Sequence, residues 1–345
     1  MPDRVTIAQV ALEAGVSAMT VSNVVNGRAG ASKETRRRVL EVVKRLGYVR
    51  SPERGRPGRT GLIGVLTLDL TTQYALEIVR GIADELAEAE FEALISASYQ
   101  DATRERERVS FLAGGLVDGI VLVAPLLEQE TLDVLEGSTV PVIVVDPRRH
   151  DVNVPRIIVD NYSGMRLATE HILSLGHHRV GYLGGDPDFE SASQRWKGFQ
   201  DAMRLRNLAV DEALVRECSF TVSSGFREAS DLIKRERPTA IVAAADLIAL
   251  GAIDAARANG LSVPSDLSVI GFDDLPQAVD SFPPLTTVRQ PLHDMGQLAV
   301  RYLLNQIDGR PPLPDLLTMP TTLMIRDTVA GPATARPTPA SRATS

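Results

Sequence analysis

Four aspartates and one arginine stand where a small molecule could be held. Asp160 closes the apolar run "RIIVD", Asp246 closes "AIVAAAD", and Asp273 and Asp274 close "SVIGFDD". Arg195 follows the loop "GDPDFESASQ" and falls near the start of a helical stretch. A carboxylate accepts several hydrogen bonds and a guanidinium donates in a fixed fork, so this set suits a ligand rich in hydroxyls. Neighbouring residues of a strand point to opposite faces, so Asp273 and Asp274 cannot both enter one site. Asp274 is therefore assigned a structural part. Strand-end aspartates also cap the helices that follow them, and that role stays open for each of the others.

Such a set needs a parallel sheet to bring it together. The runs "LIGVLTL", "EALISAS", "DGIVLVA", "VPVIVVD", "RVGYLGG", "TAIVAAAD" and "LSVIGFDD" read as short buried strands. Between them lie helix-length stretches such as "YALEIVRGIADELAEA". Strand-helix alternation builds parallel sheets covered on both faces, with ligands beyond the carboxyl ends of the strands. Residues 61–328 are more than one such sheet needs, so two α/β lobes are expected.

Composition narrows the class. No run of the 345 residues is apolar for long enough to span a membrane, and "MPDRVTIAQV" lacks the apolar region of a secretory signal. The lone Cys218 rules out an internal disulfide framework or a cysteine-built zinc site. A cytoplasmic protein without cofactor or metal is expected. The net charge of −7 averages two unlike parts: residues 1–60 carry 12 Lys+Arg against 5 Asp+Glu, and the remainder 25 against 39. A basic head on an acidic body reads as a polyanion-binding domain attached to something else. "YLGGDPD" has neither a Lys-Ser/Thr pair nor GxGxxG, so it is a turn rather than a phosphate loop. His177 and His178 read as a helix-to-strand junction.

The head is a helix-turn-helix. Thr6 caps a first helix, with Gln9 three residues on, and Ile7, Val10, Ala11 and Ala14 form its apolar stripe. Gly15 turns the chain and Ser17 caps a second helix, "AMTVSNVVN", with Val21, Val24 and Val25 facing inward. Ser32 caps a third, whose stripe is Val39, Leu40, Val43 and Leu46. The second helix of such a unit is shaped to enter the DNA major groove.

The wording goes further than the pattern. "VTIAQVALEAGVSAMTVSNVVNG" and "SKETRRRVLEVVKRLGY" resemble the N-terminus of the lac-repressor/galactose-repressor family of bacterial transcription regulators. "VDNYSGMRLATEHILSLGHHRVGYLGG", "SQRWKGFQDAM", "ADLIALGAIDAARANGLSVPSDLSVIGFDD" and "PPLTTVRQP" are similar to that family's effector domain. The resemblance implies a three-helix DNA-binding domain over 1–49 and a hinge over 50–60. A two-lobed, periplasmic-binding-protein-like effector and dimerisation domain follows over 61–328. A Pro/Ala/Ser/Thr tail over 329–345, expected to be disordered, completes the chain.

It also implies residue roles. Ala18, Met19 and Asn23 fall at base-reading positions; the first two offer apolar contact suited to a thymine methyl, and Asn23 can bond adenine twice. Thr20, Ser22, Asn26, Lys33 and Thr35 fall at positions that more often hold phosphates. Asp160, Arg195, Asp246, Asp273 and Gln290 are the effector-contacting candidates. Tyr74 and Phe220 match aromatic positions that can pack against a sugar ring. Where the family commonly has Asn-Asp, this chain has Ala245-Asp246.

The linker departs most. "SPERGRPGRTG" lacks the family's minor-groove leucine and puts Gly55, Pro57 and Gly58 where hinge-helix formers belong. Its "RGRP" resembles an AT-hook core, which would let Arg54 and Arg56 enter a narrow A/T-rich minor groove. The expected protein is a homodimeric repressor of carbohydrate-utilisation genes, released from a near-palindromic double-stranded operator by a sugar effector. The open alternatives are a sugar-binding protein, a carbohydrate-active enzyme using paired carboxylates, and a corepressor-dependent regulator. An enzyme has no use for a helix-turn-helix head, and no Ser-His-Asp, metal or nucleotide motif is present.

Overall fold

The computed structural model describes residues 5, 7–25, 31–46, 59–149, 152–311 and 313–332, without the side chains of Ile7, Ala8 and Ser22. The chain divides into two units between Gly61 and Leu62.

In the first unit, hydroxyl caps start two of the three helices. These are α1 (Ile7–Ala14), α2 (Ala18–Val25) and α3 (Lys33–Leu46). Ser17 Oγ accepts the Thr20 N–H at 3.1 Å, and Ser32 Oγ accepts the Thr35 N–H at 3.1 Å. Each satisfies one of the donors that a helix start leaves without a partner. Gly15, at φ +63°, turns the chain between α1 and α2 in a conformation that side chains resist. Val10, Ala11, Ala14, Val21, Val24, Val39 and Val42 close the core. Leu40, expected in the α3 stripe, is instead 47% exposed and Val42 is buried. At about 100° per residue, positions 39, 42, 43 and 46 share one face while 40 falls to its side.

The second unit contains two sheets. The first half of the chain gives β1 (Leu62–Thr67), α4 (Gln73–Glu88), β2 (Glu92–Ala97), α5 (Ala102–Ala113) and β3 (Gly119–Val123). It continues through α6 (Gln129–Glu136), β4 (Val142–Val145) and β5 (Arg156–Val159). Next come α7 (Asn161–Ser174), β6 (Val180–Gly184), α8 (Glu190–Leu205), β7 (Val215–Glu217), α9 (Val222–Glu236) and β8 (Ala240–Ala243). The last elements are α10 (Asp246–Ala258), β9 (Ser268–Asp273), α11 (Pro276–Asp280), β10 (Thr286–Arg289), α12 (Leu292–Ile307), β11 (Leu316–Met319) and β12 (Thr322–Met324). The sheet orders are β11-β5-β4-β3-β1-β2 and β12-β10-β9-β8-β6-β7, parallel except where β12 pairs antiparallel with β10.

The strands that are buried on both faces are continuous apolar runs, as parallel sheets require. The run "EALISAS" is the exception. It ends the first sheet as β2, with one neighbour only, and Leu94 and Ile95 stay 36% and 41% exposed. Helix pairs meet where glycine permits it. A Cβ on Gly296 of α12 would lie 2.1 Å from the Ile78 carbonyl of α4, and one on Gly251 of α10 would lie 2.3 Å from the Val222 carbonyl of α9.

The chain passes between the lobes three times: from β5 to α7 at Asp160, from β10 to α12 at Gln290, and from β11 to β12. Side chains of α7 lie in the core of the second lobe and those of α12 in the core of the first. Asp160 N–H donates to the Met319 carbonyl at 2.9 Å, tying the first crossover to the third. The end of the body reaches further than expected. Val329 packs on the second core, and the Ala330 carbonyl is bonded by His177 Nε2 at 2.7 Å and by Ser268 Oγ at 2.9 Å. His177 thus pins the last described segment to the junction between α7 and β6.

Candidate functional site

Arg195 on α8 is only 3% exposed, so its charge must be answered by protein atoms. Its Nε donates to Asn161 Oδ1 at 2.8 Å and its Nη1 to the Ala244 carbonyl at 2.6 Å. Nη1 also lies 3.6 Å from Asp273 Oδ1, and the guanidinium stacks 4.0 Å from the centre of the Phe272 ring. Two strand ends and one crossover therefore converge on a single cation.

Asp273 ends β9 at φ +129°, a backbone conformation that disfavours side chains, and Asp274 follows at φ +61°. Such strain persists where the surrounding structure over-determines it. The two aspartates diverge as alternation requires. Asp273 faces Arg195 and accepts Gln290 Nε2 at 2.6 Å, whereas Asp274 takes Arg289 Nε at 2.6 Å and Arg326 Nη2 at 2.5 Å. Burial, opposed by Arg195 and Gln290, pushes the Asp273 carboxyl up to about 6.

From the first lobe, Tyr74 near the start of α4 donates its hydroxyl to Asp146 Oδ2 at 2.5 Å. Burial, followed by the charge of Asp146, holds the phenol well above its ordinary range, with Asp273 and Arg195 also acting on it. Tyr74, Arg195, Asp273 and Gln290 thus meet at one place between the lobes. Asp146 and Asn161 join them without having been singled out in the sequence. Asp146 closes "VPVIVVD" as the other aspartates close their strands, and that signal was available.

Two of the expected effector contacts, Asp160 and Asp246, have protein partners of their own. Asp160 caps α7, its Oδ1 accepting the Ser163 N–H at 2.9 Å, and it sits at a crossover. Asp246 is fully buried, with Oδ2 accepting the Leu275 N–H at 2.8 Å and Oδ1 the Thr287 hydroxyl at 2.5 Å. Burial and then the charge of Asp273 hold its carboxyl well above the ordinary range. Its partner Leu275 plugs the core of the first lobe, so Asp246 works as an anchor between lobes. Phe220 packs on Gly185 and lies edge-on to Phe189 at 5.8 Å. At the same edge, Arg148 of the first lobe reaches the second: Nη2 lies 2.7 Å from Asp188, the guanidinium 4.9 Å from the Phe189 ring, and its carbonyl accepts the Glu190 N–H.

The second candidate surface belongs to the first unit. Val21 and Val24 of α2 are buried, while Ala18 and Met19 are exposed and Asn23 half-exposed on the opposite face. Ser17 and Thr20 hydroxyls are 2.9 Å apart, as are those of Ser32 and Thr35, so Ser17 caps α2 with Thr20 as its partner and Thr35 is the partner of the Ser32 cap. Lys33 is exposed at the start of α3. Thr6, Asn26, Arg54, Arg56 and the side chain of Ser22 lie outside the described residues. Among the described residues no cluster of His, Cys, Asp and Glu suits a metal ion, and no helix is long and apolar enough to cross a membrane.

Residues 6–51 match the family model of bacterial regulatory proteins, lacI family, and residues 169–329 match a periplasmic binding protein-like domain. The HTH-type transcriptional regulator MalR of Streptomyces coelicolor is 38% identical over 336 residues, covering 94% of this chain and 97% of that protein. Catabolite control protein A of Priestia megaterium is 33% identical, covering 87% of this chain and 91% of its own. A Lac repressor dimer bound to operator and the anti-inducer ONPF superposes with a TM-score of 0.79 at 30% identity, covering 95% of this chain and all 100% of that one. A transcriptional regulator CelR–cellobiose complex gives a TM-score of 0.73 at 31% identity, covering 94% and 100%.

The carboxyl of Asp273 holds its proton more tightly folded, at about 6, than at its ordinary 3.8. Its contribution to stability is therefore full below about pH 4 and is lost as pH rises through about 6. Asp273→Asn cannot ionise, so its melting temperature relative to the native protein is expected to climb between pH 4 and 7. Thermal melts across that range check this; a difference that falls with pH would mean that Arg195 outweighs the cost of burial.

Proposed function

The chain belongs to the lacI family of bacterial regulatory proteins, and on that premise we propose that it represses carbohydrate-utilisation genes until a sugar fills the cleft between its lobes. The observation that carries this reading is the meeting of Arg195, Asp273, Gln290, Tyr74 and Asp146 at the crossovers of the second unit. Fixed donors and acceptors at a crossover do two things at once. They hold hydroxyls, and they make the angle between the lobes depend on what they hold. Sugar chemistry is supported by the relatives: one neighbouring structure is a regulator–cellobiose complex, and MalR and catabolite control protein A are among the most similar sequences.

In this reading the DNA contact is made by the α2 face carrying Ala18, Met19 and Asn23. Thr20, Ser22, Asn26, Lys33 and Thr35 take the phosphate-positioning roles. Two copies of the head occupy successive major grooves of a near-palindromic operator. A copy-to-copy surface is supported by the second lobe, where a groove lined by Val222, Leu250, Ile253 and Gln277 borders Phe282, 86% exposed. Exposed apolar side chains rimmed by charged ones, here Asp254, Arg257 and Asp280, mark association sites. The chain acts in the cytoplasm as a regulator and not as an enzyme, in keeping with relatives named as transcriptional regulators.

Effector binding closes the cleft and changes the spacing of the heads. Asp246 and Leu275 transmit that movement, since the carboxylate of one lobe accepts the backbone N–H of a residue whose side chain is seated in the other. A coupling of ~1–3 kcal/mol is enough to change operator occupancy.

Two variants test this. Arg195→Lys keeps the charge but loses the fork, and should abolish release of DNA by the sugar while the free protein still binds its own upstream region in a gel shift. Loss of both activities would argue against separate sites for DNA and effector. Phe282→Asp should shift the protein from dimer to monomer in sedimentation and weaken operator binding by at least about tenfold. An unchanged dimer would remove this face from the interface.

A further inference from the structure

The cleft holds two acceptor atoms that nothing among the described residues satisfies. They are Oδ1 of Asp146 and Oε1 of Gln290, both buried. Gln290 is 4% exposed as a residue, and its amide orientation is forced. Nε2 must face Asp273, which can only accept when ionised, so Oε1 is turned away without a donor. Asp146 is in the same position, since Tyr74 serves Oδ2 and leaves Oδ1. Buried acceptors are normally paired, and two left open at one place are aimed at donors that a ligand must bring.

The charges around them narrow the ligand further. Asp146 and Asp273 are both near Tyr74, against one arginine, Arg195. Arg195 already has Asn161, the Ala244 carbonyl and Asp273 as partners. Arg148, at the rim, is held by Asp188 with Asp186 beside it at 3.8 Å. Arg289 and Arg326 are both turned to Asp274. A phosphate ester would bring a charge of about −1.5 to −2 to a place where two carboxylates already face one guanidinium. A hydroxyl, in contrast, can donate to Asp146 Oδ1 or Gln290 Oε1 and accept in turn.

We propose that this cleft selects an uncharged polyhydroxyl effector and rejects its phosphorylated form, with Asp146 and Gln290 as the specificity-determining pair. The proposal rests on the reading of the cleft as a carbohydrate site and deepens it.

The test is a calorimetric titration of the full-length protein with glucose, cellobiose and ribose, and with glucose-6-phosphate and ribose-5-phosphate. At least one uncharged sugar should bind, and the phosphate esters should bind at least about tenfold more weakly than their parents. Gln290→Met, which keeps the length and removes the acceptor, should weaken the bound sugar by a similar factor. Asp146→Asn should narrow the gap between ester and parent. A phosphate ester that binds where its parent does not would overturn the selectivity while leaving the carbohydrate reading intact. If none of the five compounds binds, the carbohydrate reading itself fails and the selectivity falls with it. Native-like melting of both variants separates lost binding from lost folding.

Discussion

A guanidinium removed from water is the constraint around which the second unit is organised. Buried ion pairs often gain nothing over an apolar core, yet a buried Arg195 without its partners would be strongly destabilising. Its retention therefore demands partners at fixed places. Asn161 must stand at the first crossover, the Ala244 carbonyl at the end of β8, and Asp273 at the strained end of β9. Asp273 in turn orients Gln290 at the second crossover. Two of the three passages between lobes are thus tied to one charge.

The consequence is a site that is costly to the fold. Asp273 and Asp246 both hold protons more tightly than usual because burial outweighs the attractions offered to them. Only a function that uses the strain explains keeping it. Asp246 uses it mechanically, fixing Leu275, whose side chain belongs to the core of the opposite lobe. Any change in the Asp273–Arg195 geometry acts next door to that anchor.

Much of this was legible beforehand. The strand-helix rhythm and the capping serines gave both units, because local patterns there agree with the tertiary packing. Strand-end position singled out Asp273, but it could not separate acids facing a cleft from acids facing a backbone N–H. Asp160 and Asp246 turned out to serve Ser163 and Leu275, and only three-dimensional placement decides between such partners. Asp146 carried the same signal and was passed over, while Asn161 had no signal of its own. Leu40 and β2 misled for another reason: a stripe and an apolar run do not reveal which edge remains uncovered.

A head that reads DNA and a cleft that holds a sugar make one switch only if the two bindings share free energy, and such sharing is reciprocal. The direct measurement is the affinity for the bound sugar with and without saturating operator DNA, set beside operator affinity with and without that sugar. The expected result is one common factor, about 5–150-fold, with each partner weakening the other. A factor of one in either direction would show that cleft and head act independently, and would contradict a regulatory role for Arg195 and the residues it holds.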